Sequence, residues 1–241
     1  YPVRRAYRPG PVFAPQIDTV KGSIDIHCHA HEGQQDALAL AKYASQCGMQ
    51  GLLFKTITGP ERPGAKARSV QDDLDRWADA EGVEPITCWA GAMLYPGTRP
   101  ATAVDARRHL DEGVVAVWLP VFNHANTLNR VGGKPIWWDK TASPDAHTAP
   151  LPWEEALEHG HYLLDGAGRL KPEVRDIVAV CADRGAALFF GHATHSEIFA
   201  LAEEVSRRGF RRAVIDHPYS PFVNLTIDQM KALAAAGITP N

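Results

Sequence analysis

The 241-residue sequence has no excess of basic residues, since 25 Lys and Arg stand against 28 Asp and Glu, for a net charge of -3 at pH 7. Such a charge gives no attraction to nucleic acid or to an anionic membrane. The sequence also lacks an apolar run near the ~20 residues that span a bilayer, and its first residues lack the apolar centre of a secretory signal. Its four cysteines form no CxxC pair. We therefore expect a soluble cytoplasmic protein whose partner is a small molecule.

The first 22 residues contain no periodic pattern, and YPVRRAYRPGPVFAP is rich in Pro, Tyr and Arg. We interpret residues 1–22 as an extended N-terminal arm. Such arms are usually frayed, but Tyr1, Tyr7 and Phe13 are residue types that pack well on a neighbouring subunit. The second interpretation predicts a homo-oligomer. The remaining residues, 23–241, are enough for a single domain with a large core.

From Ser23 onward, short apolar segments alternate with helical patterns that end in glycine, which is typical of a parallel sheet with crossover helices. One predicted helix runs from about Ser69 to Glu81, and another has Pro172 in its first turn and ends at Gly185. The apolar segments are SIDIHCH, GLLFKT, ITCWAGAML, VVAVWLP, ALFFGH, RRAVIDH and ITPN. Seven such strands predict an α/β fold of the (β/α)8-like TIM-barrel type, distorted or without its last strand. Either the chain continues beyond Asn241 or the barrel has seven strands.

Residues 121–171 interrupt this alternation after the predicted fourth strand. The segment is rich in Gly, Pro, Asn and Trp, and a structureless loop of this length is uncommon unless it is functional or disordered. Trp137, Trp138 and Trp153 argue against disorder. We expect a long loop insertion that acts as a lid or as a subunit contact.

The first predicted strand carries IDIHCHAH, in which Asp25, His27, His29 and His31 stand two residues apart. Side chains at that spacing share one face of a strand. At the C-terminal end of a barrel strand, two such imidazoles converge on a point where a metal ion would lie. An isolated HxH pair is explained equally well by polar histidines that are satisfied by hydrogen bonds.

Histidine also ends the predicted fifth and sixth strands, as His192 in FFGHATH and His217 in VIDHP. Asp216, next to His217, is expected to face the helices by alternation and to be structural. The C-terminal ends of parallel barrel strands form the rim from which active sites of this fold are built. Histidines at three such strand ends favour a metal site over a run of polar histidines.

This arrangement, HxH on strand one followed by single histidines on strands five and six, resembles the amidohydrolase superfamily across most of the chain. The resemblance implies a (β/α)8-like barrel with one or two divalent metals, usually Zn2+, with Mn2+ or Fe2+ as alternatives. It also implies that metal-activated water cleaves an amide, ester or lactone bond of a small molecule. By position, the metal ligands would be His27, His29, His192 and His217.

Two features depart from the superfamily pattern. VVAVWLP offers neither the lysine nor the glutamate that bridges two metals in binuclear members, which favours a mononuclear site in an uncharacterised branch of the superfamily. The strand-eight aspartate of the superfamily has no counterpart before Asn241, so the resemblance leaves the general base open.

Further side chains are candidates for the reaction. His195 is our candidate for proton transfer, with helix capping as the alternative role. Lys55 ends LLFKT and is expected to act as a catalytic residue that contacts a substrate carboxylate or oxyanion, unless it reaches past the rim into water. His31 and His124 are expected to line the substrate pocket, although a loop histidine such as His124 is more often simply exposed.

Three rival functions stay open at this point. A mononuclear zinc decarboxylase of the same superfamily would use the same HxH and strand-five histidine, with Lys55 holding the carboxylate that leaves. A phosphoesterase of the polymerase and histidinol phosphatase type is a minor alternative, because Lys55 and Thr56 stand where that family has Asp-His. A non-enzymatic metal-binding module is the third, although structural zinc sites are closed and commonly use cysteine.

Overall fold

A computed structural model describes residues 19–31, 35–57, 62–95, 99–132 and 149–241. The aromatic residues of the predicted arm lie outside the described residues, as does much of the predicted loop insertion, including Trp137 and Trp138. The chain divides into two compact units, one comprising Tyr1–Glu61 and Ala65–Trp89 and the other comprising Arg62–Gly64 and Ala90–Asn241. A single barrel domain over residues 23–241 stays a prediction.

The described residues contain seven strands and eight helices, apart from the helical residues Thr19 and Val20. The strands are β1 (Ile24–Ala30), β2 (Gly51–Ile57), β3 (Thr87–Met93), β4 (Ala116–Trp118), β5 (Ala187–Phe189), β6 (Ala213–Ile215) and β7 (Ile238–Pro240). The helices are α1 (Ala37–Gln46), α2 (Pro63–Glu81), α3 (Ala103–Asp111), α4 (Ala125–Val131), α5 (Trp153–His159), α6 (Pro172–Arg184), α7 (His195–Arg207) and α8 (Ile227–Ala235).

The strands follow chain order in the sheet, and each pair with a described register is parallel. This confirms the predicted α/β class and the seven predicted strands. Since the strands within each unit are parallel, their C-terminal ends within that unit lie on the same side.

The first unit contains β1, β2, α1 and most of α2. All residues of β2 except Thr56 are buried, which suits a strand that is covered on both faces. Helix α1 begins where Asp36 accepts a hydrogen bond from the backbone N–H of Ala39 at 2.9 Å. The β1–β2 register shifts on both sides of Cys28, so β1 is irregular close to its histidines.

The second unit contains β4 to β7 and the helices from α3 onward. Strands β4, β5 and β6 are only three residues long and almost wholly buried. Trp118 of β4 stacks on Phe189 of β5 with ring centroids 3.9 Å apart. Helix α6 begins at Pro172 and ends at Gly185 in the left-handed conformation, both as predicted.

Two sequence predictions need correction. Helix α2 begins at Pro63, six residues before the predicted start near Ser69, because proline is well placed in a first turn. The segment 121–171 contains α4 and α5, which the sequence pattern did not predict because each has only seven residues. These short helices are ordered by packing of Ala125, Leu128 and Ala156. In the described part of the chain, no helix combines the length and apolar character needed to cross a membrane.

Candidate functional site

The histidines of β1 form a row in the first unit. The ring centroids of His27 and His29 are 5.3 Å apart, and those of His29 and His31 are 5.5 Å apart. All three residues are partly buried, and their contacts agree with side chains on one face of the strand. Asp25 accepts a hydrogen bond from the backbone N–H of His27 at 2.8 Å, so this carboxylate orders the backbone at the start of the row.

Lys55 of β2 is buried, with only 4% of its surface exposed. It therefore does not extend into water, which was the alternative to a substrate contact. An ammonium group at this depth requires an anionic or hydrogen-bonding environment. The position is suited to holding a negatively charged group, whether that group belongs to the protein or to a ligand.

The turn after β5 places His192 in the second unit. Gly191 has φ of +63°, and a Cβ at this position would lie 2.2 Å from the carbonyl oxygen of Pro120. Glycine is required here, because it tolerates the positive φ and has no Cβ to clash with Pro120. The backbone N–H of Gly191 donates to the Asp216 carboxylate at 2.9 Å, and that of His192 donates to the Pro120 carbonyl at 3.0 Å. The chain therefore reaches His192 through a tightly fixed turn.

The His192 side chain is almost fully buried, with 2% of the residue exposed. Its Nδ1 lies 2.8 Å from the Thr127 hydroxyl, which also lies 2.7 Å from the Val121 carbonyl oxygen. The ring stacks on Phe222 with centroids 4.3 Å apart and planes 4° from parallel. The Asn126 side-chain amide donates to the backbone carbonyl oxygen of His192 at 3.0 Å. Residues distant in sequence thus fix both the ring and the backbone.

His217, two residues past β6, faces the same region of the second unit. Its ring centroid lies 6.0 Å from that of His192. Its φ of +46° is in the left-handed region, which a residue with a Cβ rarely adopts and which is often found at functional sites. Asp216 is fully buried, and its oxygens accept hydrogen bonds from the Trp118 indole and from Gly191, both at 2.9 Å. An Asp216 oxygen lies within 4.8 Å of a His217 ring nitrogen.

His124 and Glu197 form a buried pair in the second unit, with neither side chain exposed. The His124 Nδ1 accepts from the backbone N–H of Asn126 at 3.0 Å, so in the neutral ring the proton is on Nε2, 3.1 Å from Glu197 Oε1. Both ring nitrogens are therefore occupied inside the protein. The expectation that His124 lines a substrate pocket does not fit this arrangement, because its position as the buried N-cap of α4 makes it a structural residue.

Glu197 organises three segments through one carboxylate. It accepts hydrogen bonds from the Leu163 N–H at 2.6 Å and from the Thr194 N–H and hydroxyl at 2.7 Å, as well as contacting His124. Burial alone would raise the pKa of Glu197, but His124, Thr194 and the Leu163 N–H together hold it below its usual value. The carboxylate is thus ionised inside the second unit.

His195 begins α7, and its Nε2 lies 2.6 Å from the Val223 carbonyl oxygen. A carbonyl oxygen cannot donate a hydrogen, so Nε2 must carry the proton that it shares with Val223. If His195 serves in proton transfer, Nδ1 is the atom that accepts the proton. This contact also gives His195 the role of tying the start of α7 to the segment before α8.

The structure therefore brings the predicted site residues together in two groups, with His27, His29 and His31 in the first unit and His192 with His217 in the second. Sequence reasoning missed Asp216, Thr127 and Asn126. Asp216 directly precedes His217 in VIDHP, a signal that strand alternation caused us to discount. Thr127 and Asn126 carried no signal, because their partner lies about 65 residues further along the chain.

The donor atoms of each group fit a divalent metal. Catalytic zinc sites take histidine nitrogens and carboxylate oxygens and keep one position open. His192 presents an Nε2 that carries no proton when Nδ1 donates to Thr127, and the Asp216 carboxylate lies beside the ring of His217. The first unit supplies adjacent imidazoles at His27 and His29.

Comparison with solved structures places this architecture in a known class. An amidohydrolase from Pseudomonas aeruginosa matches with a TM-score of 0.52 and 14% sequence identity, over 94% of this chain and 63% of that protein. The match shows that the chain has an amidohydrolase-like fold, and the chain spans less than two thirds of that protein's length. The chain belongs to DUF6282, a family of unknown function whose model matches residues 22–240. No curated protein matches the sequence.

Proposed function

We propose that this protein is a metal-dependent hydrolase of the amidohydrolase type, which cleaves an amide, lactone or ester bond of a small molecule. The observation that carries the proposal is the pair of imidazoles beyond β5 and β6, those of His192 and His217, beside the buried carboxylate of Asp216. The amidohydrolase-like fold supports it, because side chains at the C-terminal ends of parallel strands form the active sites of such folds.

The proposal assigns the metal to His27 and His29 of β1 together with His192 and His217. Asp216 joins this set, because its buried carboxylate lies beside the ring of His217 and an oxygen donor suits a metal ion. We propose Zn2+ as the metal, since histidine and carboxylate are its usual catalytic ligands. When bound, zinc would supply Lewis acidity that makes water nucleophilic near neutral pH.

The other assigned residues act on the substrate and on protons. Lys55 holds a substrate carboxylate or oxyanion, as its burial suggests, and His31 contacts the substrate at the end of the β1 row. His195 moves a proton through Nδ1, since its Nε2 is engaged by Val223. A homo-oligomeric state and a cytoplasmic location stay predictions from the sequence.

Metal analysis of the purified protein tests the proposal. We expect close to one equivalent of zinc in the wild type and a nearly complete loss in the double variant His27→Ala, His29→Ala, because two ligands disappear together. His159→Ala, which replaces an exposed histidine of α5, is the matched control and should keep its metal. Unchanged metal content in the double variant would remove the β1 histidines from the site.

A second experiment separates the proposed reaction from its rivals. Lactones, amides, phosphate esters and carboxylated aromatic compounds are incubated with the zinc-loaded protein in H2(18O). Hydrolysis introduces one labelled oxygen into the product, whereas decarboxylation releases carbon dioxide from a substrate held by Lys55. Release of phosphate would favour the phosphoesterase. Metal that is fully coordinated by protein, with no exchangeable water, would favour the metal-binding module.

A further inference from the structure

Helix α4 touches His192 through its first turn. Asn126 and Thr127 are adjacent residues of α4, and each contacts a different part of His192, the backbone carbonyl for Asn126 and the ring for Thr127. Asn126 and Thr127 are themselves almost fully buried. Part of the predicted loop insertion thus surrounds and orders one of the proposed metal ligands.

The Thr127 hydroxyl decides which nitrogen of His192 carries the proton. Its oxygen lies 2.7 Å from the Val121 carbonyl oxygen, and a carbonyl can only accept, so the hydroxyl hydrogen is directed to Val121. The same oxygen lies 2.8 Å from His192 Nδ1. With its only hydrogen used, Thr127 can act only as an acceptor toward the ring, and Nδ1 of His192 must donate.

A neutral imidazole has one N–H, so a proton on Nδ1 leaves Nε2 as the nitrogen with a lone pair. Metal ligation uses such a lone pair, and the hydrogen bond made by the other ring nitrogen commonly sets the tautomer of a ligand histidine. The ring has little freedom to turn over, because Phe222 stacks on it with planes 4° from parallel. Asn126 donates to the carbonyl oxygens of both His192 and Phe222, which holds the two stacked residues together.

From this geometry we infer that Thr127 is a positioning residue, whose hydroxyl holds His192 in the Nδ1–H tautomer so that Nε2 is ready to bind a divalent metal. The metal part of this inference rests on the proposed function. The tautomer part does not, because it follows from the contacts of Thr127 in the protein alone.

Nitrogen-15 NMR of the imidazoles in the metal-free, full-length protein tests the tautomer. At a pH of about 8.5, where imidazoles are neutral, His192 is expected to show a protonated Nδ1 and an unprotonated Nε2. Its signals are assigned by their absence in His192→Gln. Thr127→Val, which keeps the shape of the side chain and removes the hydroxyl, should populate the Nε2–H form, whereas Thr127→Ser should behave as the wild type.

Zinc titration of the wild type, Thr127→Val and Thr127→Ser supplies the second readout. Thr127→Val is expected to bind zinc about 10- to 100-fold more weakly than the wild type, the usual effect of removing a partner of a ligand histidine. Thr127→Ser should restore nearly wild-type affinity. If Thr127 had a purely structural role, Thr127→Val would keep the Nδ1–H tautomer of His192, and Thr127→Ser would not restore zinc affinity.

The outcomes separate this inference from the proposed function. A wild-type His192 with its proton on Nε2, or a Thr127→Val protein that keeps the Nδ1–H form, would overturn the role of Thr127 even if zinc binds. The wild-type measurement does not use Thr127→Val, so poor folding of that variant does not prevent the test. A tautomer that depends on Thr127 in a protein without zinc affinity would support the positioning and refute the metal-dependent hydrolase.

Discussion

Two helices of the second unit begin with the same local device and use it differently. Helix α3 begins with Thr102 and Asp105, and α7 begins with Thr194 and Glu197, each a threonine and an acidic residue that bond reciprocally across the first turn. Asp105 then meets Arg99, whose side chain is 67% exposed, at 2.8 Å. Glu197 instead meets His124, and neither side chain of that pair is exposed.

The difference shows that a helix cap can be recognised in the sequence while a second, long-range role of the same residue cannot. The Asp105 carboxylate has its partners close by in the chain, since it accepts hydrogen bonds from Thr102 and Arg99 and pairs with Arg108 at 3.8 Å. Glu197 reaches across 73 residues to His124, which caps the helix that carries Thr127. The order of the proposed metal ligand His192 therefore depends partly on a helix cap.

The largest effect is expected for Glu197→Ala. This change removes the acceptor of four hydrogen bonds and leaves buried donors on Leu163 and His124 without it. We expect the free energy of unfolding to fall by about 3–5 kcal/mol, measured by urea denaturation. Glu203→Ala, which removes an exposed carboxylate from the same helix, is the matched control.

The control should lose less than about 0.5 kcal/mol, since it removes only an exposed carboxylate. Equal losses in Glu197→Ala and Glu203→Ala would show that burial of the carboxylate adds nothing, and the contrast between the two capping devices would disappear.

An intermediate effect is expected for Asp105→Ala, about 1 kcal/mol at pH 7, as for the loss of a helix cap. The hydrogen bond from Arg99 lowers the pKa of Asp105 well below its usual range. Because the pKa in the folded protein lies below the unfolded value of about 3.9, the contribution is complete above that pH and is lost as pH falls. The stabilities of wild type and variant should therefore approach each other below about pH 4.

Urea denaturation at several pH values measures this convergence. Asp183→Ala removes an exposed carboxylate near the end of α6 and should change stability by less than about 0.5 kcal/mol. A difference between the wild type and Asp105→Ala that stays constant down to pH 2 would mean that the charge of Asp105 is not what stabilises α3.

The smallest effect is expected for Gln229→Ala, which removes a neutral version of the same device at the start of α8. Gln229 accepts from the Thr226 N–H at 2.8 Å in an exposed position. Alanine has a high helix propensity, and water replaces the lost hydrogen-bond acceptor. The free energy of unfolding should therefore fall by less than about 0.5 kcal/mol. An amide does not titrate, so the loss should not vary with pH. A pH-dependent loss would mean that the capping box itself, rather than its acidic residue, responds to pH.

Much of the fold was predictable because its signals are local. Seven apolar segments gave the seven strands, and Pro172 with Gly185 gave both ends of α6. Helices α4 and α5 were not predicted, since seven residues hold too few turns for a periodic pattern to emerge. Their order comes from tertiary packing, which a local pattern does not contain.

The candidate site likewise has some features that local sequence patterns predict and others that depend on distant segments. The β1 row was predictable, because alternation along one strand places His27, His29 and His31 on one face. Placing His192 next to His217 required only the assumption of parallel strands. The burial of His124 and the contact from Thr127 were not predictable, since each depends on which distant segment packs against it. Asp216 was discounted because strand alternation was assumed to continue to this residue. Alternation does not hold beyond the end of a three-residue strand.

The hydrogen bond from the Trp118 indole to Asp216 has a spectroscopic consequence. Indole N–H protons resonate apart from the amides, and Trp118 is fully buried, so its signal should be sharp and slow to exchange with solvent. Because the proton points at the carboxylate beside His217, its chemical shift would respond to whatever ion or proton arrives there. One native side chain thus provides a way to observe the candidate site before any substrate is known.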